Sequence, residues 1–143
     1  MFKKLMFFLI FTIVLVGACS AAEQTKFNAP EDFEDIGDGV FVLYDSFKNA
    51  DEILSIVKFN QHDWKDYTTN DTENNYTVIK DKNNTYNYTD KSVNEKGSFE
   101  LIKIGKDKYI IDFSKVGLDT DYSETYNNLL EFNRINNATP IKG

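Results

Sequence analysis

Few side chains in this chain are of a type and spacing that could do chemistry. His62 is the only histidine, and Asp63 follows it directly. A histidine base needs a pKa near the working pH and a carboxylate that orients its ring. Cys19 is the only cysteine, so the chain cannot build an internal disulfide framework. One histidine and one cysteine also fall short of the ligands for a usual zinc cage. Oxygen ligands are more plentiful. Asp63, Asp66, Asp71 and Glu73 fall in one polar stretch, and Asp119, Asp121 and Glu124 in another. Neither has the central glycine and terminal glutamate of an EF-hand loop, so both read as solvated acidic loops and no metal site is assigned. The remaining candidate is the Tyr/Asn/Thr-rich segment from Tyr67 to Tyr88. Tyrosine offers flat apolar area with a hydroxyl at low entropy cost, and asparagine both donates and accepts. Tyr76, Tyr86 and Tyr88 are thus a candidate interaction surface on edge strands. The plainer account is that Tyr and Thr suit the wet face of any sheet.

Cys19 is better explained by what precedes it. Lys3 and Lys4 make a positive start, Leu5 to Val16 form an apolar stretch of twelve, and Gly17 and Ala18 are small. This is the three-part layout of a secretory signal. The apolar stretch falls short of the about 20 residues that span a bilayer. Val16-Gly17-Ala18-Cys19, with Leu15 in front, resembles the lipobox of bacterial lipoproteins. The resemblance covers the first twenty residues. It implies that the Cys19 thiol receives a diacylglycerol, that a dedicated peptidase cuts before it, and that Cys19 becomes an acylated first residue. Residues 1–18 are then a signal peptide, 19–30 a lipidated N-terminus and tether, and 31–143 a globular extracytoplasmic domain. Apart from the acyl group no cofactor is expected.

The chain's 143 residues carry a net charge of −7. Without Lys3 and Lys4, 14 basic side chains face 23 acidic ones, leaving −9. So acidic a domain is repelled by nucleic acid and by anionic surfaces, and no nucleic-acid partner is expected. Hydrophobic residues at 41% and aromatics at 15% supply enough apolar surface for one core.

The elements that must position these residues follow from periodicity. Val40 to Tyr44 (VFVLY) predicts a buried strand. Asn49, with Glu52 three residues on, has the form of a capping box, and Ile53, Ile56, Val57, Asn60 and Trp64 share a helical face. The spacing predicts a helix over about 50–62, against the β-branched run, which favours a strand. On that helix His62 lies about 180° from the apolar stripe and Asp63 cannot turn toward it, so no catalytic residue is assigned. Residues 65–75 read as a loop. YTVIK, TYNYT, SFELIKI and KYIIDF, separated by turn residues, form a meander. A three-residue turn at Gly105-Lys106-Asp107 sets Phe99 opposite Phe113 and Leu101 opposite Ile111. Asp121 and Glu124 start a last helix with an apolar stripe of Tyr126, Leu129 and Leu130, and NRINNATPIKG reads as a frayed tail. The fold class is α+β: an antiparallel sheet of four to five strands with one or two helices on one face. Size, leader and this helix-plus-meander layout resemble small Gram-positive lipoproteins of cystatin-like fold. Those place their main helix first, whereas VFVLY comes first here, and the resemblance brings no site residues.

The expected function is a membrane-anchored extracytoplasmic lipoprotein that binds a protein or cell-wall partner. The alternatives are a small envelope-modifying enzyme using His62 and a ligand carrier.

Overall fold

The computed structural model describes residues 27–81 and 84–142, so Val16, Gly17, Ala18 and the lipidation site Cys19 lie outside the described residues. Among those described are eight strands, all paired antiparallel, and two α-helices. The strands are β1 (Glu34–Gly37), β2 (Val40–Tyr44), β3 (Ala50–Lys58), β4 (Tyr76–Lys80), β5 (Tyr86–Asp90), β6 (Glu95–Ile104), β7 (Asp107–Val116) and β8 (Thr139–Pro140). The helices are α1 (Gln61–Thr68) and α2 (Ser123–Ile135). The sheet order is β1-β2-β3-β7-β6-β5-β4, with β8 paired to the far end of β6. The α+β reading stands, and the sheet is larger than the predicted four or five strands. The five legible strands became β2 and β4 to β7; β1, β3 and β8 are additional.

The segment ADEILSIVK accounts for most of the difference. It is β3, not a helix over 50–62, and it lies at the centre of the sheet between β2 and β7. Leu54 and Ile56 are buried on one face and Ile53 on the other. A strand buried on both faces loses its period-2 signal, and its apolar positions then mimic a helical stripe. The helix begins later. Asn60 is the N-cap of α1, its side-chain oxygen accepting from Asp63 N–H at 2.8 Å while its Nδ2 donates to Asp63 Oδ2 at 2.6 Å. The capping pair is therefore Asn60/Asp63, not Asn49/Glu52. The predicted loop from 65 is helix as far as Thr68, with a 3₁₀ turn at Thr72–Asn74.

The β6–β7 hairpin turns on two residues. Ile104 pairs with Asp107, and Gly105 takes a left-handed φ of +60°. Phe99 therefore faces Asp112 and Leu101 faces Ile110, in place of Phe113 and Ile111. A one-residue slip moves every side chain to the other face, so Phe99 and Phe113 belong to different layers. One layer packs Leu129 and Phe132 of α2 against Phe41, Leu54, Ile56, Ile102, Ile111 and Phe113. The other packs Trp64 and Tyr67 of α1 against Tyr76, Val78, Tyr88, Phe99, Leu101 and Ile110. The two helices thus cover opposite faces of the sheet, not one.

Both ends of the described chain are packed. Phe27 meets Tyr109 edge-on at 5.0 Å, and Asn28 and Asn136 exchange two hydrogen bonds of 2.8 and 2.7 Å. The stretch read as a tether is part of the folded body from Phe27 onward. The predicted frayed tail continues α2 to Ile135, adds β8 to β6, and ends with Ile141 N–H donating to Leu101 C=O at 2.8 Å.

Candidate functional site

Tyr76, Tyr86 and Tyr88 do not form a surface. They sit on β4 and β5 on the face that α1 covers; Tyr76 and Tyr88 are wholly buried and Tyr86 is half-buried, stacked on Phe99 at 5.0 Å. The hydroxyls of Tyr76 and Tyr88 are held inside. Tyr76 donates to Tyr67 C=O at 2.6 Å and Tyr88 donates to Asp112 at 2.8 Å. Burial, then the nearby Asp112 carboxylate, pushes the hydroxyl pKa of Tyr67, Tyr76 and Tyr88 well above the ordinary tyrosine value. Tyr88 reaches Asp112 by crossing Gly97, its cross-strand partner. A Cβ at Gly97 would stand 2.5 Å from the Tyr88 hydroxyl. Asn70 and Asp71 are polar for a structural reason. Asn70 Oδ1 accepts from Val78 N–H at 2.7 Å and Asp71 pairs with the Tyr76 backbone, so the outer edge of β4 is partly closed.

His62 is exposed on the first turn of α1. The later helix start places it nearer to carboxylates than predicted. Its Nδ1 is 3.8 Å from Asp63 Oδ1 and 3.7 Å from Asp66 Oδ2. The three ligand atoms lie within 4.8 Å of one another and are the group among the described residues that could hold a metal ion. Asp63 is also the capping partner of Asn60. Three of the other acidic candidates are likewise used in the fold. Asp71 caps the 3₁₀ turn through Asn74, Asp121 accepts from Ser123 N–H at 2.9 Å ahead of α2, and Glu124 binds Lys115 at 2.7 Å.

A polar seam between α2 and the sheet escaped the sequence reading. Ser98 bonds both Asn87 and Thr125, and Glu100 accepts from Thr85 at 2.7 Å and from Asn133 at 2.8 Å. At its other side lies a carboxyl pair. Glu52, on the α2 face of β3, is completely buried and accepts from Asn128 Nδ2 at 2.6 Å. Burial first, then the neighbouring Glu124 carboxyl, pushes its pKa up to about 8. Glu124 is held below the ordinary glutamate value by neighbouring Glu52 and then by Lys115. Burial works against the Lys115 ammonium, but bonds to Glu124 and to Asp51, the latter 3.2 Å away, outweigh it and raise its pKa. The pair therefore shares one proton, carried by Glu52. Such a pair is the kind that performs acid–base chemistry. Here the protonated member has no exposed surface from which to reach a substrate. Nothing in the sequence marks Glu52 or Glu100 as members of this seam before the strand pairing is known.

No family model, no curated protein and no solved structure matches the chain.

Proposed function

We propose that the chain is a lipid-anchored extracytoplasmic lipoprotein of a bacterial envelope, whose folded body binds a protein or cell-wall partner. The observation that carries this is the succession of residues at the start of the chain: two lysines, twelve apolar residues, Gly17, Ala18 and then Cys19. Among the described residues no helix is long and apolar enough to cross a membrane. Two acyl chains at about 0.8 kcal/mol per buried CH₂ would hold the protein stably without one, where a single chain binds reversibly.

The binding role is supported by a part of the sheet that α2 leaves open. Asn128 of α2 reaches β3, so the opposite side of that helix borders β5 and β4. At 100° per residue, Tyr126 and Leu130 lie on that opposite side. Ile79 on β4 is 73% exposed and Leu130 is 48% exposed. With Thr77, Asn87 and Thr89 they compose a mixed apolar and amide surface on the face of β4 and β5 opposite the buried tyrosines. This moves the proposed contact from Tyr76, Tyr86 and Tyr88 to the reverse side of the same two strands. A carrier role would need an apolar cavity, and the two layers here are filled with aromatic side chains in contact.

Mass spectrometry of the membrane fraction should find a mature chain beginning with acylated Cys19. A soluble mature protein starting elsewhere would refute the anchor. A photo-crosslinker at Ile79 should give an adduct that one at Lys48, on the β2–β3 turn, does not; equal labelling would remove the β4–β5 surface from the reading.

A further inference from the structure

Charge is unevenly distributed along the sheet. The β6–β7 hairpin reads Lys-Ile-Gly-Lys-Asp-Lys over residues 103–108, three cations against one anion. Lys58, at the end of β3, is adjacent, since Lys58 pairs with Tyr109. All four lysines are exposed. Lys103 and Lys108 are direct cross-strand partners on one face. Like charges opposite each other destabilise a sheet, a cost that an outside anion would offset; Lys108 also lies over the Phe59 ring at 5.9 Å. Within the hairpin, Asp107 is held by Lys58 at 3.9 Å. Among the described residues, Lys103, Lys106 and Lys108 have no ion-pair partner. Asp63 lies nearby at the start of α1, engaged with Asn60.

The opposite end of the sheet is acidic. Asp51 and Glu124 surround Lys115 there, and Asp119 and Asp121 precede α2. Lys103 is separated from Glu95, at the other end of β6, by eight residues, about 26 Å at ~3.3 Å per residue. That is some three times the Debye length of about 8 Å at physiological salt. The acidic end of the sheet therefore does not cancel the local field at the hairpin. The N-terminal segment also enters the folded body at this end, because Phe27 lies on Tyr109, one residue from Lys108 in β7.

We propose that Lys58, Lys103, Lys106 and Lys108 form the membrane-facing surface of the domain, contacting the anionic headgroups of the bilayer that holds the anchor. This rests on the lipoprotein reading for its geometry, since a tether entering beside the hairpin brings that end down first. Lysines at an anionic surface contribute about fivefold in binding apiece. They orient the body so that the open face of β4 and β5 stands across the surface rather than flat on it.

The test separates the charge contact from the anchor. Every described strand pairing and both apolar layers lie within residues 27–142, so an unlipidated chain beginning at Ser20 retains the folded body. It should co-sediment with phosphatidylglycerol vesicles at low salt, release as salt rises, and ignore phosphatidylcholine vesicles. The triple variant K103Q/K106Q/K108Q should bind about 100-fold more weakly, with an unchanged circular dichroism spectrum. A control, K48Q/K91Q, should bind as wild type. Equal sedimentation with both lipids, no sedimentation with either, or equal loss in both variants would overturn the proposal. Failure to find acylated Cys19 would instead overturn the anchor and leave this result standing on its own.

Discussion

At the level of single residues, two positions carry sharp expectations. Gly97 has no room for a methyl group, whose Cβ would lie 2.5 Å from the Tyr88 hydroxyl and 2.6 Å from the Phe113 carbonyl oxygen. The second neighbour is backbone and cannot rotate away. Gly97→Ala should therefore cost about 3 kcal/mol, at the upper end of ordinary overpacking, seen as a lowered urea midpoint. Glu52 governs a pH dependence. Its folded pKa is raised, so its contribution to stability is fully present below the unfolded value near 4.5 and is lost as pH rises toward about 8. Glu124, held low, acts in the opposite sense and loses its contribution as pH falls below 4.5. Glu52→Gln keeps an acceptor for Asn128 and supplies a fixed donor toward Glu124. The variant should match wild type near pH 5, exceed it at pH 9 by on the order of 1–3 kcal/mol, and show a flatter melting-temperature profile between. A parallel profile would show that Glu52 is ionised throughout. Neither position announced itself in the sequence: a glycine inside SFELIKI's upstream flank and one glutamate in an apolar run both look ordinary until the partner strand is known.

Elements were legible where turn residues bound a short β-rich run, whether one face is wet, as in β4, or both are buried, as in β6. VFVLY and the YTVIK, TYNYT, SFELIKI and KYIIDF series were read correctly as strands because turn residues bound each one. β3 was misread because burial on both faces removed the alternation that would have marked it, and its β-branched residues were the truer signal. The hairpin register failed for a smaller reason, one residue of turn length, with a large consequence, since it assigned Phe99 and Phe113 to one layer when they belong to two. The last helix was found, although its stripe was rotated: Thr125, Leu129 and Phe132 face the sheet, and Leu130 is outside. α1 is short, eight residues, and has one side-chain cap at Asn60. Helices of this length do not persist without tertiary support. Asn60→Ala removes both capping bonds to Asp63 and should cost about 1 kcal/mol. Because Trp64 and Tyr67 are the α1 contribution to the aromatic layer, the loss should show in the fluorescence of Trp64, the single tryptophan, before global unfolding. Simultaneous loss of fluorescence and far-ultraviolet dichroism would mean that α1 does not fray independently.

On the scale of the whole molecule, the sheet is held by what covers its two faces and by how its ends are closed. The β6 edge is shared: β5 pairs with Glu95–Phe99, and β8 takes over at Ile102 and Lys103. Without β8 the end of β6 that carries the basic hairpin would present unpaired backbone groups, a template for association. The C-terminal segment also places Ile141 on the aromatic layer of α1 and Ala138 on the layer of α2, so four residues, Ala138 to Ile141, bridge the two faces. A sequence-based reading of this segment as frayed followed from its Asn-rich, polar composition, which hides two apolar contacts among polar neighbours. Truncation after Asn137 removes a half-buried isoleucine and the Ile141–Leu101 hydrogen bond. These are worth about 2 kcal/mol together. At a slope of about 2 kcal/mol per molar, the urea midpoint should fall by ~1 M. The truncated chain should also self-associate as concentration rises, and a Lys103→Pro change at the freed edge should suppress that association without restoring the midpoint. If truncation leaves the midpoint unmoved, β8 is only laid on the sheet and closes nothing; if the midpoint falls but the chain stays monomeric, packing at Ile141, not edge closure, is what the C-terminus contributes.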